Sequence, residues 1–130
     1  MQLQSVRDTA PELDLRRELH RRGLRYRVDR QVVRGTRRRV DIVFGPSKVA
    51  VLVDGCFWHG CAQHGVQAPK ANQQFWLDKI AANRARDADT DARLAADGWL
   101  VIRVWEHEPA AEAAQRIAGV VRRRRSDWRR

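Results

Sequence analysis

Acids, lysine and cysteine are all scarce in this chain of 130 residues, and each scarcity rules something out. Asp and Glu total 16 against 26 for Lys and Arg, leaving a net charge of +10 at pH 7. Such a surface repels basic partners and suits a polyanion, nucleic acid above all. Lysine occurs only as Lys48, Lys70 and Lys79, so the positive charge is almost all arginine. The codon bias of a GC-rich genome accounts for arginine over lysine, but not for the net excess. Cys56 and Cys61 are too few for a disulfide framework, and metal ligands or free thiols are the readings open to them. No apolar run nears the ~20 residues that cross a bilayer, and "MQLQSVRDTAPE" has no apolar signal core. The expectation is a cytoplasmic protein with no membrane partner.

What is present alternates between helical and strand patterns, in a length that fits one domain with its own core. "DTAPELDLRRELHRRG" reads as a helix. Thr9 is its candidate N-cap, Pro11 sits in the first turn, and Glu12 stands at capping-box spacing. Leu15 and Leu19 share one face, and Gly23 is placed to end the helix. "LRYRV" and "QVV" read as short strands, with "RGTRRR" a basic loop. "VDIVF" and "KVAVLV" are β-branched runs joined by "GPS", which predicts an antiparallel hairpin with "KVAVLV" as a central strand. A long helix is predicted over "QQFWLDKIAANRARDADTDARLAADG", with Trp76 and Ile80 on one side, Leu94 near the end and Gly98 as the stop. "WLVIRVW" is a strand, and strand, helix, strand implies a parallel pair. "AAEAAQRIAGVVRRRR" is a final helix running into a basic tail. The predicted order is α, β, β, β, α, β, α in a single domain over 1–130, with about 1–6 and 122–130 as flexible tails.

One stretch suits neither a surface loop nor a core. "VDGCFWHGCAQHG", residues 53–65, follows the central strand and crowds together Asp54, Cys56, Phe57, Trp58, His59, Cys61 and His64. Asp41 lies in the apolar strand that pairs with the one ending in Asp54. A lone Asp in a strand often sits at an edge or faces solvent, whereas two acids on neighbouring strand ends can hold a hard cation such as Mg²⁺ through oxygen. An acid on one strand and a second functional group on the next is the layout of metal-dependent nucleases. A lysine usually closes that motif, and Cys56 stands in its place here. His59 is then the nearest group suited to take a proton from an attacking water near neutral pH. Cys56, Cys61 and His64 have C-x₄-C-x₂-H spacing, one ligand short of a structural zinc site, and His107 in "WEHE" is the candidate fourth. Buried thiols and incidental histidines are the alternative. Eleven arginines between Arg16 and Arg39, and six in "VRRRRSDWRR", either line solvated faces or bind phosphates.

Taken together, "VDIVF…KVAVLVDGCFWHGC…FWLDKIAANRARD…GWLVIRVWEHE" resembles the very-short-patch-repair (Vsr) DNA mismatch endonucleases, from about Arg7 to Glu108. The resemblance implies an α/β fold with a restriction-endonuclease-like core, a mixed central sheet flanked by helices, in a single domain with a structural zinc site. It implies Mg²⁺-dependent nicking of duplex DNA on the 5′ side of the thymine in a T:G mismatch, initiating repair. Asp41 then matches the metal-binding aspartate, and Val53 the position whose main-chain carbonyl also meets the metal. His59 matches the histidine that assists the attacking water. Glu12 matches an acid acting through water, a role compatible with its capping box. Asp54 stands where some members have histidine, and is a further candidate for Mg²⁺. Cys56, Cys61, His64 and His107 match the zinc positions. Phe57, Trp58 and Trp76 match the aromatics that wedge into the helix beside the mismatch, and Lys79 and Asn83 match residues contacting it. Val40 replaces a proline frequent before the catalytic aspartate.

The implied partner is mismatched double-stranded DNA, with other repair proteins as further candidates, and the implied enzyme is a monomer used at the nucleoid. Two rival readings stand beside it. One is a restriction-type or broader structure-selective nuclease on the same fold. The other is a zinc-stabilised DNA-binding module without catalysis, against which the presence of both Asp41 and His59 argues.

Overall fold

The computed structural model describes residues 10–55 and 72–129. Its elements are α1 (Ala10–Arg21), β1 (Arg27–Arg30), β2 (Val40–Phe44), β3 (Val49–Asp54), α2 (Gln73–Ala96), β4 (Leu100–Trp105) and α3 (Ala110–Arg129). This is the expected order. The strands form one mixed sheet in the order β1-β2-β3-β4. β2 and β3 make the expected antiparallel hairpin, and β3 and β4 run parallel, with Val49 opposite Leu100 and Asp54 opposite Trp105.

Alternation along the strands divides the core in two. Ile42, Phe44, Val49, Val51, Ile102 and Val104 pack with Leu15 and Leu19 of α1 and with Ala113, Ala114, Ile117, Ala118 and Val121 of α3. On the other face Val43 and Ala50 pack with Leu94 of α2, alongside Leu52, Trp99 and Val101. The first face is a broad apolar layer. The second is thin, and Leu94 is the one α2 residue in its buried cluster.

The two predicted helix stops act in the same way. Gly23 and Gly98 take φ of +78° and +86°, a left-handed conformation that costs glycine little. Leu24 N–H donates to Leu19 C=O at 3.2 Å and Gly23 N–H to His20 C=O at 2.9 Å. Trp99 N–H donates to Leu94 C=O at 2.9 Å and Gly98 N–H to Ala95 C=O at 3.0 Å, so both ends are Schellman motifs.

Two stretches differ from expectation. "QVV" is not a strand. Gly35, at φ +81°, turns the chain, and Thr36 Oγ1 donates to Val33 C=O at 3.0 Å while accepting from Arg38 N–H at 3.1 Å. That turn buries Val33 without strand pairing. The residues read as a basic tail from 122 continue α3 through Arg129. Arg124 Nε donates to Ser47 C=O at 2.7 Å and its Nη2 to Gly98 C=O at 3.0 Å, which docks the helix on the body of the protein. Thr9, the candidate N-cap, lies outside the described residues.

Because the α2 face is thin, one side chain carries much of its packing. Leu94→Ala is expected to cost about 2–5 kcal/mol in denaturant unfolding, while Leu77→Ala, on the exposed side of α2, stays within about 0.5 kcal/mol. Equal losses would mean that α2 is not held on the sheet through Leu94.

Candidate active site

The expected acids meet at one end of the sheet. Asp41 is the second residue of β2 and Asp54 the last of β3. Pairing of Ile42 with Val51 brings Asp41 alongside the end of β3, where Val53 N–H donates to Asp41 Oδ2 at 2.7 Å. Glu12, only 3% exposed, enters from the first turn of α1 and pairs with Arg16. Burial pushes the Asp41 carboxyl up to about 7; the Val53 N–H opposes the rise, and the charges of Glu12, Asp54 and Asp29 add to it. Among the described residues no cation pairs with Asp41.

A half-buried carboxyl in a desolvating strand end with like charges nearby is costly to ionise alone, and a divalent cation beside it reverses that cost. Oxygen donors suit Mg²⁺, which commonly takes one or two carboxylates and completes its shell with water and substrate phosphate. The residues at this strand end therefore fit such an ion, with Asp41 the side chain best placed to hold it. Among the described residues no three His, Cys, Asp or Glu side chains converge as a full ligand set.

Asp54 has a specific partner. Arg103 Nη1 donates to Asp54 Oδ1 at 2.8 Å and Oδ2 at 2.9 Å. The same guanidinium reaches α2, where Nε donates to Asp91 Oδ1 at 3.1 Å and Nη2 to the same oxygen at 2.7 Å. Nη2 also donates to Asp87 C=O at 3.3 Å. Asp54 is 5% exposed, and this pairing provides for the charge it buries. Sequence patterning does not single out Arg103. The signals it offers are an arginine inside the apolar run "WLVIRVW" and two aspartates four residues apart, hence on one helix face.

The N-terminal half of α2 buries Ile80 and presents most of its other side chains outward. Lys79 is exposed, Trp76 and Asn83 are half-buried, and Phe75 is 56% exposed. Phe75 meets Trp76 edge to face, with ring centroids 5.2 Å apart. Further back, Arg38 Nη1 donates to Asp89 Oδ2 at 2.7 Å and Thr90 Oγ1 at 2.9 Å, tying the basic loop to α2. Much of the arginine cluster is paired in this way, but Arg25, Arg27, Arg30 and Arg37 have no ion pair among the described residues. His107 follows β4, where Glu106 N–H donates to Asp54 C=O at 2.9 Å. It therefore stands beside the exit of β3. Cys56, Phe57, Trp58, His59, Cys61 and His64 lie outside the described residues.

Asp41→Asn tests the electrostatics on the free protein. Asparagine keeps an oxygen for the Val53 N–H but cannot ionise. Between the ordinary carboxyl range and about 7, folded protein holds a proton that the unfolded chain has lost. The contribution of this group to stability is therefore fully present below pH ~4 and is lost as pH climbs through ~7, a fall of roughly 4 kcal/mol. The variant should lack that fall in denaturant unfolding with EDTA. Parallel stability curves for the two proteins between pH ~4 and ~8 would contradict the assignment.

Comparison with known proteins places this geometry in context. A family model described as DNA mismatch endonuclease Vsr matches residues 1–64. The type II nicking enzyme V.NaeI of Lentzea aerocolonigenes is 43% identical over 123 residues, covering 93% of this chain and 72% of that protein. The type II nicking enzyme V.XorIIP of Xanthomonas oryzae pv. oryzae is 44% identical over 108 residues, covering 83% and 77%. The DNA mismatch endonuclease Vsr of Escherichia coli is 36% identical over 102 residues, covering 78% and 64%. With this breadth of identity, and with its acids gathered at one end of a mixed sheet, the chain belongs to the Vsr family of DNA mismatch endonucleases.

Proposed function

We propose that the protein is a Mg²⁺-dependent endonuclease that nicks one strand of duplex DNA on the 5′ side of the thymine in a T:G mismatch. The observation that carries the reading is the half-buried carboxyl of Asp41 at the strand end, which pairs with no cation among the described residues, in a family of mismatch endonucleases. Asp41 and the Val53 main-chain carbonyl would hold Mg²⁺, whose contribution when bound is to stabilise negative charge at the scissile phosphate. Asp54, bridged to Arg103, shapes this end of the sheet and is a lesser candidate ligand. His59 takes the proton of the attacking water, within the range of a histidine near neutrality. Glu12 orients water from the α1 side. Arg25, Arg27, Arg30 and Arg37, which have no ion pair among the described residues, are available to phosphates, which give affinity without sequence information.

Selectivity in this reading comes from opening the helix. Phe57, Trp58 and Trp76 wedge beside the mismatch, with Lys79 and Asn83 contacting it from the same helix as Trp76. Unstacking a step costs a few kcal/mol, least for a mismatched step, so the wedge favours mismatches as well as offsetting the cost by stacking. Cys56, Cys61, His64 and His107 would hold a structural zinc that pins the wedge loop, so that Phe57 and Trp58 project outward. The core belongs with restriction endonucleases in this account, the enzyme works as a monomer, and other repair proteins take over its nick.

The test is a panel of duplexes carrying each mismatch, labelled on either strand, with Mg²⁺ or EDTA. Wild type should give one Mg²⁺-dependent nick, 5′ to the thymine of T:G. Trp76→Ala should lose about 5- to 150-fold on T:G, the value of a stacking contact of ~1–3 kcal/mol, while binding paired DNA and melting as before. Cutting of both strands, equal cutting of paired DNA, or equal losses on matched and mismatched duplexes would refute the reading.

A further inference from the structure

We propose that Arg103 is a positioning residue, through which the outward-facing helix α2 sets the geometry of the catalytic end of β3. The inference rests on the nicking reading, and extends it to a residue that touches neither metal nor DNA in that account.

Arg103 lies in β4 opposite Leu52 of β3. On one side of its guanidinium Nη1 donates to both oxygens of Asp54, and on the other Nε and Nη2 hold Asp91, with Nη2 also on the Asp87 carbonyl. A guanidinium presents its donors in a rigid planar fork. Its two edges cannot move independently, so a shift of the Asp87–Asp91 turn either breaks one set of bonds or carries Asp54 with it. Asp54 directly follows Val53, whose amide is bonded to Asp41. On the other side, Asp87 lies one turn beyond Asn83 and two beyond Lys79, the residues proposed to meet the mismatch. The path from mismatch to metal end is therefore α2, Arg103, Asp54, Val53, Asp41.

Two features favour positioning over simple support. The buried apolar side chains of α2, Ile80 and Leu94, lie on either side of Asp87 and Asp91, so the stretch between them is registered by groups with directional bonds. Bridges of this kind contribute little net stability compared with apolar replacements. The second link, from Arg38 to Asp89 and Thr90, leads to the basic loop and not to β3, so it serves as an internal control.

The experiment compares wild type with Asp91→Ala, Arg103→Lys, Arg103→Met and the control Asp89→Ala, well below their melting temperatures. One reading needs no substrate: exchange of the Val53 and Glu106 amides, both bonded at the end of β3. The other is kcat and KM for nicking a T:G duplex. Asp91→Ala should speed exchange at these amides about 10-fold and lower kcat about 10-fold with KM little changed, a coupling typical of groups in one bonded network. Arg103→Lys should behave like Arg103→Met, because one ammonium cannot span both sides. Adding Asp91→Ala to Arg103→Met should change nothing further. Asp89→Ala should leave both readings at wild-type values. The inference is overturned if Asp91→Ala and Arg103→Lys leave exchange and kcat unchanged, or if Asp89→Ala reproduces their effects. Should wild type nick no duplex, the nicking reading fails by itself, and amide exchange still decides the role of Arg103.

Discussion

Parallel pairing of β3 with β4 decides where everything else in the molecule lies. Two parallel strands cannot be joined by a tight turn and need a crossover. Here the crossover is α2, which runs from Gln73 to Ala96 between the end of β3 and the start of β4. The helix must therefore begin at the end of the sheet where β3 stops at Asp54. The antiparallel hairpin brings the start of β2, and with it Asp41, to that same end. Helix α1 delivers Glu12 there from its first turn. One register thus collects the acids, Arg103 and the N-terminal half of α2 in one place.

That place stands apart from the overall charge of the chain. The chain carries +10, yet the candidate catalytic end gathers Asp41, Asp54 and Glu12, of which Arg103 and Arg16 pair the last two. Arginines draw a polyanion to the protein, while the acids repel the one phosphate that must approach them. The proposed divalent cation would resolve the conflict by making the acids attractive to phosphate. The rise in the Asp41 proton affinity comes first from desolvation and then from neighbouring negative charge, and the proposed Mg²⁺ would answer both.

Much of this was legible in the sequence, for reasons that differ by element. The hairpin and the parallel pair were readable because β-branched runs, "GPS" and a long helical stretch are local signals. Asp41 was readable because a carboxylate inside an apolar strand is out of place. "QVV" misled because its residues favour strands, whereas Gly35 and the Thr36 hydroxyl, which end any extension, act from the following residues. The arginines after Val121 misled because charge runs resemble tails; their partners are carbonyls of Ser47 and Gly98, far away in sequence. Arg103 was hidden for the same reason. Its meaning depends on Asp54 and Asp91, which only the register and the crossover bring to it.

The proposed cation site at the strand end around Asp41 can be mapped without any substrate. Fe²⁺ replaces Mg²⁺ at many oxygen sites, and with ascorbate and peroxide it cuts the polypeptide beside itself. The account predicts fragments from cleavage near Asp41 in β2 and near Val53–Asp54 in β3, suppressed by excess Mg²⁺ and absent in Asp41→Asn. Cleavage at other positions, or an unchanged pattern in the variant, would contradict it.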